Sequence, residues 1–299
     1  MTGTERGLDR LRRPSGAFAM VALDQRESLR TMLDEARGGE SGAADVSAFK
    51  VDAARILSPH ASAVLLDLES GLGPVLEAGA LDPGCALLVS GDRVCQPRGG
   101  AVETTGLDRE PFETPWVIER AAALKLLVIW RPGRGAARRA RLVRAFLAAC
   151  RAARRPSVLE PVVRRPEDVP AAEWDHAAMV LAAARELAPL EPDLYKAEVP
   201  TQGRGTAAEI TGASRELTAI VRGPWVVLSN GVPPDRFDDA VIAACEGGAS
   251  GFLAGRAIWS ASLGAEDIAA HLRVVAAPRL ERLAARVDVV VGARTEAGT

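Results

Sequence analysis

Lysine is scarce in this chain. Of its 37 basic residues only Lys50, Lys125 and Lys196 are lysine, and the rest are arginine. An amine differs from a guanidinium in one chemical respect, since it can lose its proton and attack a carbonyl. Lys196 lies in Asp193-Leu-Tyr-Lys-Ala-Glu-Val-Pro200, a short apolar run that reads as a buried strand cut off by Pro200. It is therefore a candidate Schiff-base nucleophile. The plain alternative is a strand-end lysine, turned to solvent or paired with Glu198. Two more ionisable residues are embedded in apolar runs: Lys125 in Ala123-Leu-Lys-Leu-Leu-Val-Ile-Trp130, and Glu160 in Ser157-Val-Leu-Glu-Pro-Val-Val163. Buried charges are costly unless paired or functional. A second ammonium beside Lys196 would leave more of it as free amine, and Glu160 could then move protons. A purely structural lysine–glutamate–lysine cluster is the competing account.

These residues need elements to hold them. Apolar runs at residues 18–24, 61–67, 85–90, 123–130, 157–163, 193–200, 224–229 and 251–255 read as eight strands. The runs are continuous rather than alternating, as expected for parallel strands covered by helices. Helical patterns fall at 25–37, 45–57 (with Asp45 as its N-cap), 169–187, 206–220 and 234–246, with terminal helices beyond 255. An arginine-rich helix over 134–155 shows alanine and leucine at helical spacing, so its arginines form a solvated face. The segment 91–115 is loop-rich. Eight β/α units over this length predict an α/β fold, a single-domain TIM (β/α)8 barrel spanning 1–299. Residues 1–13 are a polar lead-in, and about 284–299 a C-terminal helix and tail. The competing architecture is a doubly wound open sheet. That fold usually carries a Gly-rich turn after its first strand, whereas Leu23-Asp-Gln-Arg26 has no glycine.

In such a barrel, function collects at the carboxyl ends of the strands. Those ends offer Asp24 and Gln25, Asp67 and Glu69, Lys125, Glu160, Lys196 and Glu198, Ser229 to Gly231, then Gly255 and Arg256. Lys125, Glu160 and Lys196 lie on the fourth, fifth and sixth strands, so they can converge. Ser229, Gly231, Gly255 and Arg256 close the seventh and eighth, where barrels bind phosphate on backbone N–H groups. His60, His176 and His271 avoid every strand end, and Cys85, Cys95, Cys150 and Cys245 show no metal-ligand or disulfide spacing. No metal or organic cofactor is expected. With 37 basic against 39 acidic residues and a pI near 6.0, neither nucleic acid nor membrane is an expected partner. No signal-peptide core or membrane-length apolar run is present, which predicts a cytoplasmic protein, expected to be a homo-oligomer.

The chain resembles the class I ketose-phosphate aldolases that include tagatose 1,6-bisphosphate aldolase and sulfofructosephosphate aldolase, the closer likeness being to the latter. The carrying stretches are residues 16–27, 57–63, 123–131, 159–164, 193–200 and 248–259, in one order over about 13–283. The resemblance implies that Lys196 forms the Schiff base with Lys125 and Glu160 beside it. It also implies that Asp24 and Gln25 line the pocket, and that the stretches at Ser229 and Arg256 hold an anionic end group. The implied reaction is cleavage of 6-deoxy-6-sulfofructose 1-phosphate, in sulfoquinovose breakdown, to dihydroxyacetone phosphate and sulfolactaldehyde. With tagatose 1,6-bisphosphate the second product is glyceraldehyde 3-phosphate, and Leu68-Glu-Ser-Gly-Leu-Gly73 looks more like that branch. Asn230 stands where the family usually has a small residue. Other readings are a non-catalytic sugar-phosphate-binding barrel and a different phosphosugar enzyme, an isomerase or synthase.

Overall fold

The computed structural model describes residues 5–297 apart from residue 134. Ten strands form among them: β1 (Phe18–Leu23), β2 (Ala63–Leu66), β3 (Ala86–Ser90), β4 (Asp92–Cys95), β5 (Thr104–Leu107), β6 (Ala123–Trp130), β7 (Ser157–Val163), β8 (Leu194–Glu198), β9 (Trp225–Leu228) and β10 (Gly251–Ala254). All but β4 and β5 close into a parallel barrel in the order β1-β10-β9-β8-β7-β6-β3-β2. The expected TIM barrel is what the chain forms.

Side chains alternate along a strand, so each barrel strand serves two cores. Leu124, Leu126 and Val128 of β6 face the helices, as do Leu159 and Val163 of β7 and Tyr195 and Ala197 of β8. The other parity points inward. Low in the barrel it gives an apolar layer of Phe18, Met20, Leu65, Leu88, Val158, Leu194, Val226 and Leu253. Near the mouth it gives Ile129, Val162 and Leu228. Lys125, Glu160 and Lys196 share this inward parity and lie between the two layers. Register fixes their heights: Lys125 is level with Val158, Leu127 with Glu160, and Lys196 with Val226.

Several local expectations are corrected. The lead-in is less polar in effect than in composition. Residues 5–8 form a helical turn and Asp9–Leu11 a 3-10 turn, which carry Leu8 and Leu11 into the low barrel layer. The second helix is Glu27–Arg37, leaving Gln25 and Arg26 in the loop after β1. Helix Ala43–Leu57 starts two residues before Asp45, whose carboxylate accepts the Gly42 N–H from inside the first turn. The expected helix over 169–187 is a 3-10 turn, Ala171–Glu173, and a helix His176–Leu187 capped by Asp175. The 91–115 segment contains the antiparallel β4–β5 hairpin, paired from Asp92↔Leu107 to Cys95↔Thr104. The arginine-rich helix is Ala136–Ala153, and Arg134 lies outside the described residues. Arg138, Arg141, Arg144 and Arg151 are exposed as expected, but Arg139 is buried over Trp130 and donates to Glu186 at 2.7 Å. The terminal helix starts earlier, at Ala277, and runs to Ala297. Arg13 and Ser15 bond Asp288 on it, which ties the two ends of the chain together. Residues 298–299 lie outside the described residues. Among those described, no helix is long and apolar enough to cross a membrane.

Candidate active site

The charged band is one connected network. Glu160 shares its carboxylate between two lysines, with Oε1 2.7 Å from Lys196 Nζ and Oε2 2.8 Å from Lys125 Nζ. Lys125 also meets Asp24 Oδ2 at 2.7 Å and Asp92 Oδ2 at 3.2 Å. All of these side chains are nearly or fully buried; Lys196 exposes only 3% of its surface. Burial alone would raise the pKa of Asp24, but Lys125 first, then Lys196 and Arg26, outweigh it and hold the carboxyl below its ordinary 3.8. Burial alone would lower Lys125, yet the carboxylates of Asp24, Asp92 and Glu160 raise it well above the ordinary 10.5. Lys125 is therefore a fixed cation. Of the two lysines facing Glu160, it is the one unsuited to attack a carbonyl.

Both shifts make stability depend on pH. The stabilisation from Asp24 is present above its ordinary pKa and is lost as pH falls through the lower folded value. That from Lys125 is present below its ordinary pKa and is lost as pH rises through the raised one. Both contributions are intact across neutral pH.

Asp92 went unnoticed in the sequence because it lies two residues past the end of β3, in a segment that reads as loop. Its carboxylate accepts from Ser90 Oγ at 2.9 Å and from the Leu127 N–H at 2.9 Å, and its carbonyl accepts from Arg26 at 2.9 Å. The signal was an acidic residue directly following Ser90-Gly91. Arg26 continues the network to Asp67, 4.0 Å away, at the end of β2. There Lys50 finds its place. It projects from helix Ala43–Leu57, is fully buried, pairs with Asp67 and donates to Ser70 Oγ at 2.9 Å. Asp67 in turn caps the turn that follows, accepting the Ser70 N–H at 2.8 Å. Lys50→Met should cost about 3–5 kcal/mol of stability by leaving a buried carboxylate uncompensated. Denaturant melts of the two proteins check this, and equal midpoints would show the pair to be dispensable.

Above the band a cleft of about 240 Å³ opens at the carboxyl ends of the strands, a small-ligand scale. Asp24, Gln25, Arg26, Asp92, Lys125, Glu160, Arg164, Asn230 and Arg256 supply its polar lining, and the β4–β5 hairpin forms one wall with Val94, Gln96 and residues 100–102. Lys196 is not part of this lining; buried, it meets the cleft through Glu160, 2.7 Å away. Of the expected binding residues, Asp24, Gln25 and Arg256 thus reach the cleft. Ser229 and Gly231 do not; they line a shallow depression on the other flank of Arg256. Gly255 supports the site from below, because a Cβ there would lie 2.7 Å from the Ala22 carbonyl and 2.8 Å from Gln25 Nε2.

A second chain of contacts runs through the end of β8. Glu198 accepts the Val163 N–H at 2.8 Å and Asn230 Nδ2 at 2.7 Å, while Asn230 Oδ1 accepts from Arg256 at 2.9 Å. Asn230 thus holds the arginine with one end and a buried carboxylate with the other, which a small residue at this position could not do. His176, which avoids the strand ends in the sequence, nevertheless comes close to the end of β8. Its Nδ1 accepts from Trp174 at 3.4 Å, and its Nε2 is 3.6 Å from Glu198 Oε1. Among the described residues, no group of three His, Cys, Asp or Glu side chains is arranged to hold a metal ion.

Known proteins are similar to this chain in sequence or in shape. The profile described as DeoC/LacD family aldolase matches residues 18–261. The tagatose 1,6-diphosphate aldolase of Listeria monocytogenes serotype 4a (strain HCC23) is 32% identical over 290 residues, covering 85% of this chain and 80% of that one. Tagatose 1,6-diphosphate aldolase 1 of Enterococcus faecalis (strain ATCC 700802 / V583) is 28% identical, covering 92% of each. Among solved structures, the fructose-bisphosphate aldolase of Plasmodium falciparum superposes with a TM-score of 0.71 at 12% identity, over 97% of this chain and 93% of that one. An archaeal fructose-1,6-bisphosphate aldolase, whose catalytic Lys was captured bound to a carbinolamine intermediate, gives 0.64 at 14% identity, over 96% and 100%.

Proposed function

Because the chain belongs to the DeoC/LacD family of aldolases and is thus a carbon–carbon lyase, we propose that it is a Schiff-base enzyme for a ketose 1,6-bisphosphate of the tagatose type. One observation carries the reading: a buried lysine and a fixed buried cation share a single carboxylate beneath a cleft with cationic walls. Lys196, as free amine, adds to the C2 carbonyl of the substrate. Loss of water leaves an iminium, the electron sink for cleavage of the C3–C4 bond. A base takes the proton of the C4 hydroxyl, the C3–C4 pair flows into the iminium, and glyceraldehyde 3-phosphate departs. The enamine takes a proton at C3, and water releases dihydroxyacetone phosphate and the amine.

Glu160 is the proposed carrier of at least one of these protons, since it touches Lys196 directly. Lys125 supplies a permanent positive charge, which stabilises oxyanions formed near C2 to C4. Asp24 and Gln25 border the reacting carbons. Arg256, which reaches the cleft from the end of β10, takes the 1-phosphate, while Ser229 and Gly231, outside the cleft, are given no part in it. The named relatives support a tagatose bisphosphate substrate over the sulfosugar to which the sequence alone leaned, and none of those relatives favours the sulfosugar.

Borohydride trapping with dihydroxyacetone phosphate is the direct test. Stable labelling of the protein, located at Lys196, is expected; an unlabelled protein would return the chain to non-covalent binding or isomerase chemistry. Steady-state kinetics on tagatose 1,6-bisphosphate and on 6-deoxy-6-sulfofructose 1-phosphate then choose the substrate. EDTA should leave turnover unchanged, because the residues at the site are lysines, arginines and carboxylates already paired to them, with no histidine or cysteine set for zinc. Activity lost on chelation and restored by a divalent ion would move the chemistry to a metal-dependent route.

A further inference from the structure

Four cationic side chains line the cleft, and the protein neutralises only two of them. Lys125 has three carboxylate partners, and Arg26 lies within 4.0 Å of Asp92, Glu69 and Asp67. Arg256 is held by the neutral amide of Asn230. Arg164, half-buried directly after β7, has less. Its Nε is buried without a hydrogen-bond partner, its NH1 contacts only the Val163 carbonyl at 3.5 Å, and no carboxylate lies within ion-pair distance among the described residues. The neighbouring carboxylate, Glu198, is already committed to the Val163 N–H and Asn230. Burial, partly offset by Glu198 and reinforced by Arg256 and Arg131, lowers the pKa of Arg164. A guanidinium kept under-solvated, under-paired and beside like charges is complementary to an anion that arrives from outside.

The barrel order says which anion. The imine forms on β8, and the 1-phosphate, one carbon from it, goes toward the loops after β9 and β10 on one side. The remaining carbons then run the other way, past Glu160 and Lys125 on β7 and β6. Glu160 and Arg164 belong to one stretch, with Glu160 inside the barrel and Arg164 four residues on at the rim, where the cleft also meets the hairpin wall. Resting on the Schiff-base reading above, we propose that Arg164 binds the distal tetrahedral oxyanion of the substrate, phosphate or sulfonate, and makes the enzyme select doubly anionic ketoses. Its fork suits either group, and pairing removes the unpartnered donor.

The test compares Arg164→Met with wild type on tagatose 1,6-bisphosphate, on 6-deoxy-6-sulfofructose 1-phosphate, and on tagatose 1-phosphate, which lacks the distal anion. Wild type is expected to prefer one of the doubly anionic ketoses, and that preference names the anion. In Arg164→Met, the ratio of kcat/KM for that ketose to kcat/KM for tagatose 1-phosphate should fall about 100-fold, the scale for truncating one member of a buried charged contact. Borohydride labelling with dihydroxyacetone phosphate, which has no distal end, should persist and shows that the variant is folded. A ratio that stays the same, whether both activities fall together or neither falls, overturns the assignment. Failure of wild type to label at all would instead remove the Schiff-base premise, and the two failures read out separately.

Discussion

Lys196→Arg is expected to abolish cleavage while leaving the barrel folded. The substitution keeps a cation 2.7 Å from Glu160 in type if not in detail, so the buried carboxylate retains a partner. What disappears is the nucleophile, because a guanidinium does not deprotonate at usable pH and cannot form the imine. Turnover should drop at least about 10⁴-fold, the scale for removing a covalent catalyst. Labelling by borohydride should vanish with it. The larger head group must fit between the apolar layers of the barrel, and overpacking there should cost about 1–3 kcal/mol, visible as a lower melting temperature. A variant that keeps a large part of wild-type turnover removes Lys196 from the mechanism.

Glu160→Gln should produce the second-largest loss. The amide matches the carboxylate in shape but not in bonding. One end can still accept from an ammonium, while the other turns an N–H toward the second ammonium, donor against donor. Lys125 keeps Asp24 and Asp92, but Lys196 loses its ion-pair partner. A stability loss of about 1–3 kcal/mol is expected from the mismatched buried donors. Loss of a proton carrier adds a fall in kcat on the order of 10²–10⁴. Trapping by dihydroxyacetone phosphate should become slow rather than absent, because the amine remains. Near-normal kinetics in a less stable protein would reduce Glu160 to a structural bridge between two lysines.

How much of this was legible depended on whether the signal was local. Lys125, Glu160 and Lys196 could be read because each interrupts an apolar run at inward parity, and adjacent strands bring them together. The eight strands were equally plain, being long apolar runs between helical patterns. Contacts made by short or irregular pieces stayed hidden. Asp92 sits on a four-residue strand whose pairing partner begins nine residues after that strand ends, across a Pro- and Gly-containing turn. Lys50 looked like any helix lysine, because its partner Asp67 is remote in sequence and the burial of both is a tertiary fact. The lead-in reads as polar on composition, although Leu8 and Leu11 are what the barrel floor requires. Placement of Ser229 and Gly231 beside Arg256, rather than within the cleft, depends on loop paths that no strand pattern specifies.

The hairpin of β4 and β5 divides labour within the molecule. Its root, Asp92, belongs to the charged network, bonded to Lys125 and to the β6 backbone, and is bound to stay as it is. Its outer half, from Val94 through residues 100–102, forms a wall of the cleft and is tied to the barrel by the exposed Arg98, paired with Asp34 and Glu40, and by Val102 against Ile129, Val162 and Leu228. None of its residues bonds the lysines or their carboxylates, so exchanges there act on the cleft wall rather than on the charged network. Substrate range can therefore drift by changes in one surface ribbon while the bond-breaking apparatus is inherited intact. Among descendants of such a barrel, the length and residues of this ribbon should vary with the sugar that is cleaved, and Asp92 should not vary at all.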